Sequence, residues 1–462
     1  MQKYLRLIRE SLKGEQNDFS TGSMKRAMAL LAIPMMLEMA MESIFSLVDT
    51  FFVGKVSTEA LTTIGLTEVC LTIIYSLAIG LSIAPMSMIA RFVGEKRPQE
   101  AARSARQAIW LSLIISLFIA VPGAIYAPEL LRLMGGSEAV VAEGTLYTRI
   151  MFGSNAVIML LFVLNGVFRG AGEATKAMRV LWLANGINII LDPLLIFGVG
   201  PFPELGVTGA AVATTIGRGV GVGYQLYLLT NGKSVVNLNI GRWGIDLSMM
   251  RRLGRIASTG AFQYIIASAS WIFLMRIVAD TGGDAAVAGY QVAIRLIIFT
   301  LLPAWGLANA AATFVGQNLG AGQVERAKSG VWLALRLITV YMAIIGIFYY
   351  LAAPWLIQLF AEEPIAQAPG TLALQIFGLG YFLFGPGMAF SQAFNGAGDT
   401  RTPTLLNFIA FWLVELPLGY LLGMGLNWGL SGVCFAVIAA NAVLAVLAYF
   451  FFQRGKWINV KV

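Results

Sequence analysis

Apolar residues run along this chain in long uninterrupted stretches that are separated by short polar connections. A helix needs about 20 apolar residues to cross the hydrocarbon core of a bilayer. Stretches of about this length recur twelve times, near residues 28–53, 62–90, 104–127, 146–168, 178–200, 206–230, 256–280, 286–315, 329–353, 370–394, 403–425 and 429–453. The pattern therefore predicts an all-α integral membrane protein with twelve transmembrane helices.

Lys and Arg are concentrated in alternate connections between these stretches, including the N-terminus and the tail. The other connections contain only Lys55 and Arg132 as basic residues. Because basic connections remain on the cytoplasmic side, we expect both termini in the cytoplasm and a multi-pass protein of the cell (inner or plasma) membrane, surrounded by lipids. The basic N-terminal segment fits an amphipathic helix on the membrane surface and a disordered tail equally well.

The two halves of the chain repeat each other. Phe92-Val-Gly-Glu is echoed by Phe314-Val-Gly-Gln, and Phe168-Arg-Gly-Ala-Gly-Glu by Phe394-Asn-Gly-Ala-Gly-Asp. Six spans per half give both halves the same orientation, so we predict two six-helix bundles related by a pseudo-two-fold axis along the membrane normal. The segments are then a cytoplasmic N-terminal segment (1–27), an N-lobe (28–231), a cytoplasmic linker (232–255), a C-lobe (256–453) and a cytoplasmic tail (454–462).

Composition agrees with a membrane protein and narrows its chemistry. The 462 residues are 58% hydrophobic and 12% charged, whereas soluble domains carry about 25% charged residues. The net charge of +8 follows from the membrane topology, so we expect no nucleic-acid partner. Histidine is absent, and Cys70 and Cys434 lie in separate apolar runs. We therefore expect free thiols, no metal centre based on histidine, no cofactor and no enzymatic nucleophile–base set.

Carboxylates inside the first predicted span suggest a polar cavity. Glu38, Glu42 and Asp49 fall within about 40° of each other at 100° per residue, so they share one helix face. A charge at the centre of a spanning helix costs about 2.5–3.5 kcal/mol on insertion scales. Three on one face favour a water-filled or ligand-filled cleft, and two bundles with a cleft between them suit alternating access.

The fifth span offers a partner for Asp49. Asn188 and Asp192 are four residues apart and share a face, and both spans enter from the cytoplasm, so Asp49 and Asp192 are predicted at similar depth. Thr214 in the sixth span is a plausible hydroxyl partner. The second half does not copy this pattern, and Glu415, one residue out of register, is interpreted as a structural acid near the outer surface.

Several motifs resemble those of the multidrug and toxic compound extrusion (MATE) family over nearly the whole chain. They are Leu47-Val-Asp-Thr-Phe-Phe-Val-Gly, Arg169-Gly-Ala-Gly-Glu-Ala-Thr, Asn188-Ile-Ile-Leu-Asp-Pro-Leu-Leu-Ile-Phe-Gly, Gly206-Val-Thr-Gly-Ala-Ala-Val-Ala-Thr and Phe314-Val-Gly-Gln-Asn-Leu-Gly-Ala-Gly. The resemblance implies export of bulky cationic or amphipathic organic compounds, driven by inward flow of H⁺ or Na⁺.

The resemblance also assigns residue roles. It implies a cation-coupling site at Asp49, Asn188, Asp192 and Thr214, and a hinge at Pro34. We expect H⁺ as the coupling ion, with a Na⁺ site made of oxygens at the same four residues as the alternative. Polar positions along the cavity of family members match Tyr147 and Asn165. Together with Glu38 and Glu42 of span one and Gln263 of span seven, they are the predicted substrate contacts.

The sequence departs from the family pattern in span seven, and it leaves two alternative functions to consider. Many family members carry a carboxylate in span seven, where this chain has Gln263, so a cation site in the C-lobe is not expected. A flippase of a lipid-linked precursor is an alternative function, and it would favour cations along the cleft. An intramembrane enzyme is the other alternative, but this chain lacks the nucleophile–base or metal-binding residues that such an enzyme would need. We expect a monomer with small organic substrates.

Overall fold

The structure is a computed structural model that describes residues 2–14, 18–53, 56, 58–361 and 363–460, with the backbone alone for residues 2–5, 46–47, 49–51, 53, 58 and 61. Every regular element within these ranges is a helix, which confirms the predicted all-α membrane architecture. Nine described helices are long and apolar enough to cross a membrane, and a bent pair supplies a tenth crossing.

Nine helices precede the linker between the halves. They are α1 (Gln2–Lys13), α2 (Met24–Val53), α3 (Thr58–Gly94), α4 (Pro98–Ile125), α5 (Ala127–Leu133), α6 (Glu138–Gly153), α7 (Asn155–Gly170), α8 (Ala174–Ile196) and α9 (Val207–Thr230).

Seven α-helices follow, several of them interrupted by shorter turns. They are α10 (Leu247–Gly320), α11 (Val324–Phe360), α12 (Gln367–Gly380), α13 (Phe384–Ala397), α14 (Arg401–Asn407), α15 (Leu416–Tyr420) and α16 (Gly429–Gln453). Three 3-10 turns are Pro364–Ala366, Tyr381–Leu383 and Lys456–Asn459, and two π-helical segments are Phe408–Glu415 and Leu421–Gly425.

Four helices explain why this count is compatible with twelve crossings. Helix α10 holds two predicted spans, because its backbone leaves helical geometry at Gly282 and Gly283. The fourth predicted span is the pair α6 and α7, bent by 40° at Ser154. Asn155 stabilises this bend by donating its amide to the Phe152 carbonyl oxygen at 2.6 Å. Helix α9 has 24 residues and corresponds to the sixth predicted span.

The chain forms two compact units, which differ from a simple division at the linker. The first unit comprises Met1–Asn17 and Leu37–Ala261, and the second comprises Asp18–Met36 and Phe262–Val462. Helix α2 therefore begins in the second unit and continues in the first. Pro34 lies inside this helix, three residues before Leu37.

Small residues allow close packing of helices within the first unit. At Gly166 of α7, an added Cβ would lie 2.4 Å from the Ser82 carbonyl oxygen of α3. At Gly217 of α9, it would lie 2.6 Å from the Ala184 carbonyl oxygen of α8. Such contacts replace the hydrophobic effect as the force that holds membrane helices together.

Aromatic residues fill the core of the second unit. Phe452 of α16 stacks on Trp457 with ring centroids 4.9 Å apart, and it lies 5.0 Å from Phe390. The N-terminal part of α2 and the residues before it are included in this unit. Gly306 of α10 faces the Met35 carbonyl oxygen of α2, and Asn318 donates to the carbonyl oxygen of Phe19, which precedes α2.

The repeated Gly-Ala-Gly segments are turns, as their position between spans predicts. Gly172 and Gly398 adopt φ of +80° and +87°, a region that favours glycine. The N-terminal segment is helical, and Thr175 and Arg179 of α8 hold its end by donating to the Ser11 and Leu12 carbonyl oxygens at 2.7 and 2.6 Å.

Asp246 fastens the linker to the first unit and caps α10. Its carboxylate accepts hydrogen bonds from the Ser248 hydroxyl at 2.8 Å and from the Met249 N–H at 3.2 Å, and it pairs with Arg103 of α4. These hydrogen bonds, led by that of Ser248, lower the pKa of Asp246 to about 2.

Candidate functional site

A buried polar cluster lies where α8 meets α9. Asp192 is fully buried, and Asn188 and Thr214 are 2% and 9% exposed. With the Asn188 amide oriented to satisfy its neighbours, its nitrogen donates to Asp192 Oδ2 at 2.8 Å, and its oxygen accepts from the Thr214 hydroxyl at 3.0 Å and from the Thr214 N–H at 2.9 Å. The structure thus joins three of the four predicted coupling residues.

Sequence features of both helices position this cluster. The spacing of four residues stacks Asn188 and Asp192 on one face of α8. Gly217, one turn beyond Thr214, brings α9 close enough for the Thr214 hydroxyl to reach the amide. Pro193 cannot donate a backbone hydrogen bond, so the helix ladder is weakened at this point.

Asp49, the fourth predicted residue, belongs to α2. Its side chain lies outside the described residues, so its predicted approach to Asp192 stays a prediction. No described group of three or more His, Cys, Asp or Glu residues could hold a metal ion. In the described part of the cluster, the side-chain oxygens that could face a cation are those of Asn188, Asp192 and Thr214.

A second buried network surrounds Glu38. This carboxylate is 0% exposed, and its Oε1 accepts from Arg169 at 2.6 Å and from the Asn165 amide at 3.3 Å. The Asn165 Oδ1 in turn accepts from Gln225 of α9 at 2.7 Å. The network joins α2, α7 and α9 in the first unit, starting one residue beyond the point where α2 enters that unit.

A third group surrounds Glu42, one turn further along α2. The Asn185 amide donates to Glu42 Oε2 at 3.0 Å. Arg218 of α9 donates to the Tyr75 hydroxyl at 3.1 Å, and its guanidinium lies 6.0 Å from the centre of the Phe45 ring. Arg218 also interacts electrostatically with Glu42 and with Glu68 of α3. The negative charges in this region are therefore partly balanced by a buried cation.

The remaining predicted residues are distributed over both units. Tyr147 is buried on α6 of the first unit. Gln263 is buried on α10 in the second unit, and its backbone carbonyl oxygen accepts a hydrogen bond from the Asn407 amide at 3.3 Å. Pro34 lies in the part of α2 that belongs to the second unit.

Sequence reasoning missed three polar residues of these networks. Arg169 directly precedes the Gly-Ala-Gly turn in the sequence, yet its side chain reaches back to Glu38. Gln225 and Tyr75 lie in apolar spans and carry no charge. The pairing of Glu38 with Arg169 could have been predicted from an acid inside one span and an Arg at the end of another.

Comparison with known proteins gives consistent matches over most of the chain. The MatE family model matches residues 34–194 and 260–421. An FAD transporter of Shewanella oneidensis is 30% identical over 414 residues, covering 89% of this chain and 90% of that protein. A probable multidrug resistance protein NorM of Thermotoga maritima is 26% identical, covering 94% and 93%. A solved structure described as an "outward-facing conformation of a multidrug resistance MATE family transporter of the MOP superfamily" is 25% identical, with a TM-score of 0.90 and coverage of 96% and 98%.

Proposed function

We propose, from the premise that this chain belongs to the multidrug and toxic compound extrusion (MATE) family of membrane transporters, that it is a cation-coupled antiporter. It exports bulky cationic or amphipathic organic compounds by alternating access between an N-lobe and a C-lobe. H⁺ is the coupling ion in preference to Na⁺. The protein works as a monomer in the inner or plasma membrane, with both termini in the cytoplasm.

The buried cluster of Asp192, Asn188 and Thr214 carries this proposal. An ionised Asp192 needs a donor, which the Asn188 amide supplies at 2.8 Å. A protonated Asp192 becomes a donor itself and needs an acceptor, so the amide must turn over. In the turned orientation, the amide nitrogen lies 3.0 Å from the Thr214 hydroxyl, to which it can donate, and 2.9 Å from the Thr214 N–H, which repels it. Proton binding at Asp192 is thereby transmitted to α9.

Proton movement is coupled to α2 through Asp49 and Pro34. We place Asp49 beside Asp192, so that two carboxylates share protons as a coupled pair. Protonation removes their negative charge and with it the electrostatic interactions that hold α2 in its present conformation. Pro34 interrupts the hydrogen bonds of the helix and is the point at which α2 bends. Deprotonation restores a negative cavity that attracts organic cations.

Substrate contacts come from the cavity residues of both halves. Glu42 supplies negative charge, while Tyr147, Asn165 and Gln263 supply polar and aromatic contacts. Glu38 takes part indirectly, because its carboxylate is fully buried and paired with Arg169. It therefore fixes Asn165 and the course of α2.

The test is efflux from proteoliposomes under separately imposed pH and Na⁺ gradients. A fluorescent organic cation should be exported when only the pH gradient is present. Asp192→Asn should abolish the dependence of export on the pH gradient, because it removes the carboxyl group that binds the proton. Export that follows only the Na⁺ gradient would replace H⁺ by Na⁺, and unchanged export by Asp49→Asn and Asp192→Asn would refute the assigned site.

A second candidate substrate is a flavin nucleotide. One relative of 30% identity is an FAD transporter, and Arg218 with the Phe45 and Tyr75 rings offers a cation and aromatic faces to an anionic flavin. Because Glu42 and Glu68 already interact with Arg218, we rank organic cations first. Export of FAD by the wild type that is lost in Arg218→Gln, with no export of organic cations, would reverse this order.

A further inference from the structure

Glu415 is a buried acid in the second unit. It ends the π-helical segment Phe408–Glu415 and is 1% exposed. Its Oε1 atom is buried without a hydrogen-bond partner, and Glu415 forms no ion pair with any described residue. The mechanism proposed above does not use this residue, and the sequence interpretation assigned it only a structural role.

The surroundings of Glu415 contain no compensating cation among the described residues. Tyr290 of α10 interacts electrostatically with Glu415 and with Cys434 of α16, and both side chains are buried. Helix α16 carries no Asp, Glu, Lys or Arg. Tyr264 is buried as well, and its hydroxyl accepts a hydrogen bond from Gln392. The other charged or titratable side chains on the second-unit elements packed near the segment are exposed, namely Arg276, Asp280, Asp284, Arg295, Arg401, Tyr420 and Tyr449.

Electrostatics then decide the charge state of this carboxyl group. A carboxylate taken out of water without a paired cation carries a desolvation cost of several kcal/mol, whereas the neutral acid avoids most of it. A phenol and a thiol cannot supply a positive charge, and the described residues offer no set of acidic ligands for a metal ion. The ligand that fits this position is a proton.

The backbone around Glu415 supports a role beyond packing. The segment Phe408–Glu415 is π-helical over eight residues, and π-helical turns are rare and frequent at functional sites. Trp412 fixes the segment against α10 by donating its indole N–H to the Ile266 carbonyl oxygen at 2.9 Å. Pro417, two residues after Glu415, donates no backbone hydrogen bond. A change of charge at Glu415 thus acts on a helix whose ladder is already irregular.

We propose that Glu415 is a proton-binding site of the second unit, loaded and released during the transport cycle. Its place in the cycle rests on the function proposed above. Proton binding itself does not, because it follows from the burial and surroundings of the side chain. The site is separate from the predicted coupling residues, all of which belong to the first unit.

Infrared difference spectra of the protein in lipid vesicles test proton binding without transport. On a step from acidic to alkaline pH, the wild type should lose a carbonyl band of a protonated carboxyl group. Glu415→Gln should show a smaller band change, because the coupled pair of the first unit still titrates, and should release about one proton fewer per molecule. Glu325→Gln, which removes an exposed acid paired with Lys328 in the same unit, should keep the change. An identical band change in the wild type and in Glu415→Gln overturns the proposal.

A transport assay then tests the coupling. Export by Glu415→Gln should depend less steeply on pH than export by the wild type or by Glu325→Gln. An unchanged pH profile would overturn the coupling while the infrared band still supports proton binding. If the wild type exported no organic compound, the proposed function would fail and the infrared result would still decide the site. Should Glu415→Gln not fold, Glu415→Asp should retain the band and shift its titration midpoint.

Discussion

Glu38 in the first unit and Glu415 in the second are both buried, yet their surroundings are opposite. Glu38 accepts hydrogen bonds from Arg169 and Asn165, and its charge is compensated. Each acid has one oxygen without a hydrogen-bond partner, but Glu415 forms no ion pair with a described residue and interacts with the Tyr290 phenol. Burial alone therefore does not reveal what an acid does inside a membrane protein. A nearby cation favours the ionised form of a buried acid, whereas burial without a cation favours the neutral form.

The same contrast extends to the packing of the two units. In the first unit, glycine contacts place polar groups together, as Gly217 does for Asn188 and Thr214. In the second unit, aromatic rings such as Phe390, Phe452 and Trp457 fill the core. Among the described residues, the buried Asp, Glu and Arg side chains are concentrated in the first unit, and Glu415 is the one that the second unit buries.

The largest expected effect comes from breaking the ion pair of Glu38. Arg169→Gln leaves a buried carboxylate without its cation, so we expect a loss of about 3–5 kcal/mol of stability. Glu415→Gln should change stability by less than about 1 kcal/mol, since it replaces one neutral group by another. Unfolding midpoints in detergent measure both. The double variant Glu38→Gln with Arg169→Gln should recover part of the loss, and equal losses for Arg169→Gln and Glu415→Gln would remove the contrast.

The next effect concerns the helix contact that builds the coupling cluster. Gly217→Ala places a methyl group 2.6 Å from the Ala184 carbonyl oxygen, so α8 and α9 must separate. We expect a cost of about 1–3 kcal/mol and a loss of coupled export. Gly219→Ala on the same helix meets no atom within 4 Å and is the matched control. Equal export by the two variants would show that the close contact is not needed.

A smaller effect is expected from the Thr214 hydroxyl. Thr214→Val preserves the shape of the side chain and removes the group that bonds the Asn188 amide, at a cost of about 1 kcal/mol. The pH dependence of export should change with it, and Thr214→Ser should restore the wild-type profile. A profile that Thr214→Val leaves unaltered would separate α9 from the titration of Asp192.

The smallest effect belongs to the linker. Asp246→Asn keeps an N-cap side chain and loses the ion pair with Arg103, so we expect about 0.2–1 kcal/mol. The pKa of Asp246 is lowered to about 2, so its contribution is fully present above its ordinary pKa and is lost as the pH falls through about 2. Stability curves of wild type and variant should run parallel from pH 5 to 8. Divergence in that range would indicate another titrating group.

Periodicity within single helices explains what the sequence could predict. Runs of apolar residues predicted a helical membrane protein, and the spacing of Asn188 and Asp192 placed them on one face. Contacts between helices were harder, because a single sequence does not show which spans are neighbours. Glu38 and Arg169 are 131 residues apart, and the bend at Ser154 depends on a side chain that bonds a carbonyl of the preceding helix. Such contacts can be identified only from the three-dimensional structure.

The passage of α2 from the second unit into the first has a consequence for any attempt to divide this protein. A break in the linker would put residues 18–36 on the first fragment, although Phe19 and Met35 pack with Asn318 and Gly306 of the second. The C-terminal fragment expressed alone would lack part of its own core. Complementation by two separately expressed fragments should therefore require residues 18–36 to be supplied in trans, and duplicating them on the C-terminal fragment should make it less dependent on its counterpart.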